Sequence, residues 1–221
     1  DLFEDRYFTL GDIKRVRDVF KEAKDINIVI SAGNHDYLHN NSLYNKIDWS
    51  QNVHIFKSGE IQRKVYPKLN TVVYGYSWDR VEIKENNLFN DFTVCDEDLY
   101  KILLIHGDRS KNSAYLPLDL GILEGLNMDY IALGHIHKPE MITDRIAYCG
   151  CPEPLDFGEI GDRGFIKACI LPETIETEFV PFSKRRFLDL ELVLNEDMGY
   201  LDIVNKIKSI DTGNRDTDFY R

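Results

Sequence analysis

Three polar clusters interrupt the apolar segments of this chain: Gly33-Asn34-His35-Asp36, His106-Gly107-Asp108 and Gly134-His135-Ile136-His137. Each follows an aliphatic run, ending at Ile30, Ile105 and Leu133 respectively. Imidazole, carboxylate and carboxamide are the groups that hold divalent cations and move protons near neutral pH. Four of the six histidines, His35, His106, His135 and His137, stand in these clusters, whereas His39 and His54 lie elsewhere and read as ordinary residues. In α/β sheets, functional groups gather at the carboxyl ends of strands, on the loops that follow. A single strand-end histidine, a Gly-Asn turn that uses positive φ, or a His-x-His placed on one face of a strand would each be commonplace alone. The three together point to a site.

The elements that must position these groups follow from the hydrophobic pattern. Leu10, Ile13, Val16, Phe20 and Ala23 recur at helical steps, with Thr9 as N-cap and Asp12 three residues on, which predicts a helix over 9–26. Residues 26–31 form a continuous β-branched run, as a strand buried on both faces does. Further strands are predicted at 53–56, 71–78, 101–108, 129–137, 145–151, 164–171, 175–182 and 187–194, with a short helix near 118–128 and another near 196–210. The pattern is an α/β first half and a β-rich second half, with a composition shift near residue 186.

Composition narrows the classes. A chain of 221 residues with 43% apolar content can bury a sizeable core. No run has the length of a membrane span, and the first residues do not read as a signal peptide. Cys95, Cys149, Cys151 and Cys169 are too few and too irregularly spaced for a disulfide framework, so they read as thiols of a cytoplasmic protein. Cys149 and Cys151 have no partner pair at zinc-finger spacing and are taken as structural thiols. A net charge of −11 argues against nucleic-acid binding by bulk electrostatics alone, although cations would offset acidic ligands.

The series Gly33-Asn34-His35-Asp36, His106-Gly107-Asp108, Gly134-His135-Ile136-His137 resembles that of the calcineurin-like metallophosphoesterase superfamily. There it runs D-x-H, G-D, G-N-H, a lone His, then G-H-x-H, and the opening Asp1-Leu2-Phe3 looks like the tail of a G-D-L-F segment. Within the superfamily, "YCGCPEPLDFGEIGDRGF" at 148–165 resembles a signature of SbcD-type DNA repair exonucleases, with Cys151 in place of the usual serine. The resemblance implies a four-layer α/β/β/α sandwich of two mixed sheets, with a nuclease core over 1–185 and the start of an accessory domain over 186–221.

It also implies a two-metal site. Asp1 would bridge the cations, Asn34, His106 and His135 would complete one position, and His137 would belong to the other. His35 would be the general acid, with Asp36 or a neighbouring carboxylate orienting it. Manganese is the ion the resemblance implies, with iron, zinc or magnesium as the other ions such ligands accept. The family's D-x-H motif does not occur in this chain, so the second position is expected to be incomplete and the chain to hold the Asn34/His106/His135 cation better. The expected function is metal-dependent hydrolysis of DNA phosphodiesters, with DNA, a coiled-coil ATPase subunit and a homodimer as partners. A phosphatase or cyclic-nucleotide phosphodiesterase of the same superfamily, or a non-catalytic scaffold, are the competing readings. Arg109, Lys111 and Lys138 would place positive charge beside the cations, Tyr37 and His39 could line a groove, and Arg185 and Arg186 mark the junction between core and accessory segment.

Overall fold

Helix α1 (Leu10–Glu22) starts where its capping residues dictate. The Thr9 hydroxyl accepts from the Asp12 backbone at 3.3 Å, and the Asp12 carboxylate accepts from the Thr9 backbone at 3.0 Å. These two bonds satisfy backbone groups that a helix start leaves orphaned. The buried face carries Ile13, which packs with Phe3, Ile30, Ala32 and Tyr44. At the far end, Asn52 donates through Nδ2 to the carbonyls of Phe20, Ala23 and Ile26, each at 3.0 Å. That side chain caps the helix and delivers the chain into β1 (Ile28–Ile30), which runs parallel to β2 (Val53–Ile55). The protein is described by a computed structural model that covers residues 1–95, 98–214 and 216–221.

The larger sheet is mixed and six-stranded. Its members are β3 (Gln62–Tyr66), β4 (Thr71–Gly75), β5 (Tyr100–His106), β6 (Tyr130–Gly134), β7 (Glu140–Met141) and β8 (Ile146–Tyr148), in the order β3-β4-β5-β6-β8-β7. The central strands β4, β5, β6 and β8 are parallel, while β3 and β7 pair antiparallel at the edges. Parallel pairing brings the carboxyl ends of β5 and β6 to one edge of the sheet, with His106 directly opposite Gly134. Val72, Leu103, Ile105, Ile131, Leu133, Trp78 and Tyr148 are buried in the core of this half. Helix α2 (Leu120–Gly125), capped by Asp119, adds Leu123 to it. The chain then makes the hairpin β9 (Gly164–Ile170) and β10 (Ile175–Pro181). It ends with β11 (Arg186–Leu188) parallel to β12 (Asp218–Tyr220), with α3 (Tyr200–Ile210) between them.

The mixed α/β class is the one the sequence predicts, while several details differ. The 26–31 run is not buried on both faces: only Ile30 is buried, while Ile28 and Val29 are half-buried. A cavity of about 310 Å³ lies between Val29 and Ile30 on one side and Leu104, Ile105, Ala132 and Leu133 on the other. The strand predicted over 187–194 stops at Leu188, and Val193 and Leu194 are exposed because no sheet face covers them. The strand predicted to reach His137 stops at Gly134. Among the described residues, no helix is long and apolar enough to cross a membrane.

Tyr148 holds the loop that leaves β5. Its hydroxyl donates to the Gly107 carbonyl at 2.8 Å and accepts from the Arg109 backbone at 3.1 Å, with the side chain fully buried. Tyr148→Phe removes both bonds without changing the ring, and should lower unfolding free energy by about 1–3 kcal/mol. Urea denaturation followed by circular dichroism measures it, and an unchanged midpoint would contradict this role for the hydroxyl.

Candidate metal centre

The Gly33–Asp36 loop is organised by its last residue. Asp36 is fully buried, and its carboxylate accepts from the Gly33 backbone (2.7 Å), the Leu2 backbone (2.6 Å) and the Tyr44 hydroxyl (2.7 Å). Burial, reinforced by the Asp36 charge, pushes the Tyr44 hydroxyl far up from its ordinary pKa, so it remains a donor. The enclosed carboxylate therefore ties the Asp1–Asp5 segment to this loop. The oxygens of Asp36, the residue expected to orient His35, are thus taken up by these donors. Gly33 is also needed for a reason other than turn geometry. A Cβ there would lie 2.2 Å from Asp1 Oδ1 and 2.6 Å from the His106 ring, so glycine is what allows these groups to close in.

Around that loop four of the expected ligands meet. Asn34 Oδ1 lies 2.9 Å from His106 Nε2 and 3.2 Å from His135 Nδ1, and Asp1 Oδ2 lies 3.4 Å from His106 Nε2. Asp1 Oδ1 accepts from the His35 backbone at 3.0 Å, which fixes the carboxylate. The His106 and His135 rings stand 5.2 Å apart at 78°, with Trp78 edge-on to His106 and Tyr115 beside His135. Burial holds His106 well below the ordinary histidine pKa and lowers His135 as well. Both rings stay neutral and keep a lone pair to give. Carboxylate, amide and imidazole lone pairs thus converge with few protons to share among them, which is the donor set a divalent cation satisfies. His135 also sits at φ 105, a conformation costly for a residue with a side chain and often stored at functional sites. The residues present fit one cation.

His35 lies beside this cluster with its side chain 48% exposed, and its Nδ1 is 2.5 Å from Glu4 Oε2. The carboxylate that faces His35 Nδ1 is thus Glu4, three residues after Asp1, where the sequence alone offered Asp36 or a neighbouring carboxylate.

His137 does not join the other ligands. The left-handed turn at His135 ends the strand alternation that would have put both histidines on one face. His137 Nδ1 instead bonds Glu159, in a cluster completed by Cys151. Arg109 pairs with Glu140 at 2.9 Å, Arg185 with Glu153 at 2.9 Å and Arg186 with Asp218 at 2.7 Å, so these guanidiniums are engaged within the fold. Lys111 and Lys138 are exposed, and Tyr37 packs on His39, whose Nε2 is 3.2 Å from Asp5.

The profile described as calcineurin-like phosphoesterase matches residues 1–139, the span that contains Asp1, Asn34, His35, His106, His135 and His137. YhaO of Bacillus subtilis (strain 168), described as an uncharacterized metallophosphoesterase, is 28% identical over 190 residues. That alignment covers 81% of this chain and 46% of the relative, so the chain spans about half the length of the protein it matches.

The two carboxylates near His35 should separate cleanly by mutation. Asp36→Asn replaces an acceptor of three hydrogen bonds by a group with two N–H donors, and should cost about 1–3 kcal/mol of stability. Glu4, at the partly exposed rim, should give Glu4→Gln a change within about 0.5 kcal/mol. Denaturant titration of both variants is the check, and equal stabilities would refute the assignment of Asp36 as the internal tie.

Proposed function

The chain belongs to the calcineurin-like phosphoesterase family, and from that premise we propose that it hydrolyses phosphodiesters of DNA, with His35 as the proton donor. Members of this family use divalent metal ions, which when bound neutralise charge on a phosphate and lower the pKa of water. Asp1, Asn34, His106 and His135 would hold one such ion, with manganese as the ion we assign, and a second would draw on His137.

The observation that carries the reading is His35. Its backbone is pinned to Asp1 Oδ1, its Nδ1 faces Glu4, and its side chain is half exposed. A carboxylate on one ring nitrogen orients the ring and leaves the other nitrogen to exchange a proton with the substrate. In diester hydrolysis, oxygen of water bonds to phosphorus while the bond to the sugar oxygen breaks. That sugar oxygen leaves as a strong base and takes the proton from His35. An acid placed in this way matters most where the leaving group is a poor one, as in DNA.

The DNA assignment draws on the 148–165 segment and on the accessory region after Arg186, both similar to SbcD-type exonucleases. One observation favours a smaller substrate. Arg109, Arg185 and Arg186 are engaged in ion pairs and the net charge is −11, which disfavours a duplex held by bulk electrostatics. A cyclic nucleotide or another small diester is the second reading.

Manganese-loaded protein assayed on linear duplex DNA, a cyclic nucleotide and bis-p-nitrophenyl phosphate separates these. His35→Ala should lower kcat on DNA roughly 10²–10⁴-fold. On the nitrophenyl diester, whose leaving group needs no proton, the loss should be far smaller. Equal losses on both substrates would remove His35 as the acid, and turnover of the cyclic nucleotide without cleavage of DNA would favour the second reading.

A further inference from the structure

Beyond the last residue of β4 lies a cavity of about 830 Å³, and none of the expected cation ligands lines it. Its walls are Ile61, Ile83, Leu88, Phe92 and Leu116, and its rim carries Glu60, Glu85 and Asp91. Tyr76, only 6% exposed, lines it too, and its hydroxyl has no hydrogen-bond partner among the described residues. The buried hydroxyls of Tyr44 and Tyr148, by contrast, are bonded to Asp36 and Gly107. We propose that this cavity binds an organic cation with an apolar body, its charge held by the rim carboxylates and an acceptor atom held by the Tyr76 hydroxyl.

Residues 80–92 supply most of the lining, and the fold ties them in place. The Ile83 N–H donates to the Ala114 carbonyl at 2.9 Å, and the Ile83 carbonyl accepts from the Leu116 N–H at 2.7 Å. Asn86 adds a further tie, donating through Nδ2 to the Pro117 carbonyl at 3.0 Å. Phe92 packs edge-on against Tyr74 at 5.4 Å, and Tyr74 shares a side of the strand with Tyr76 two residues on. Leu116 is fully buried at φ 46, a backbone conformation costly for leucine that persists only where its surroundings fix it, as at ligand sites.

The charges decide the sign of the ligand. Arg80 is taken up by Asp79 at 2.7 Å and Lys84 by Glu82 at 3.1 Å, whereas Glu60, Glu85 and Asp91 have no ion pair among the described residues. The rim is therefore net negative and disfavours phosphates and carboxylates. Burial and the Asp79 charge push the Tyr76 hydroxyl up from its ordinary pKa, so it keeps its proton and donates. A buried donor without a partner is costly, and a ligand acceptor removes that cost. Apolar walls, few polar groups and this volume are the make-up of a site that encloses a small organic body. The same chemistry can come from a free amine or from a lysine-bearing segment of another protein.

Three probes that share one ring and hydroxyl but differ in charge test this by NMR titration: tyramine, tyrosol and 3-(4-hydroxyphenyl)propanoate. Tyramine should bind at least about ten-fold more tightly than the propanoate, and added salt should narrow the difference. Glu85→Lys combined with Asp91→Lys, both on the exposed rim, should erase the preference for the cation. Tyr76→Phe should weaken tyramine several-fold and leave thermal stability unchanged, since the oxygen it removes has no internal partner. A capped peptide with leucine and tyrosine between two lysines forms the second arm. Tighter binding of the peptide than of tyramine identifies a protein segment as the source, and the reverse identifies a free amine. Equal affinity for the three probes, preference for the propanoate, or a cation preference that survives the double lysine variant would overturn the proposal. Neither metal nor DNA enters the titration, so its outcome is separate from that of the hydrolase reading.

Discussion

The site depends on one buried charge. Asp36 accepts from Gly33, Leu2 and Tyr44, and through these bonds holds two distant pieces of chain at a fixed separation. Every other position is set relative to that tie. Asp1 is placed because Leu2 is held, Asn34 because Gly33 is held, and His35 because its backbone then meets Asp1. A hydrogen-bonded carboxylate in the interior is worth little net stability against an apolar substitute, yet breaking it is costly. Its value here is geometric, since it sets the spacing at which Asp1 and Asn34 face the same two imidazoles.

The larger sheet supplies the opposite wall. Register between β5 and β6 puts His106 across from Gly134, and a Cβ on Gly134 would stand 2.9 Å from His106 Nδ1. The ring therefore has room only because its neighbour has no side chain. Trp78 donates to the His106 carbonyl at 2.8 Å and closes the remaining side. His106 is buried, whereas His35 is open to solvent. One wall is enclosed and the other rim is open.

What could be read from the chain without coordinates was whatever is local. The ends of three aliphatic runs marked the site because strand periodicity and the placement of polar groups after strands are local rules, and the Thr9/Asp12 cap was legible for the same reason. Glu4 was not singled out, since choosing between Glu4, Asp5 and Asp36 requires knowing which carboxylate is sealed inside. The divergence of His137 was hidden because it follows from a single backbone angle at His135. Cys151 and Glu159 looked like unrelated residues until a turn, with the Glu159 N–H on the Asp156 carbonyl, brought them together. The burial of β1 was overestimated because an aliphatic run does not reveal how many neighbours its strand will have.

The converging ligands come from positions 1, 34, 106 and 135, and no two are near each other along the chain. Each must wait for a long loop to close, and such closures are paid in entropy before any contact rewards them. Cation affinity is consequently a property of the finished molecule, absent from any partly folded form. An ion that binds here draws its free energy from the native state alone and acts as a latch on the last step of assembly.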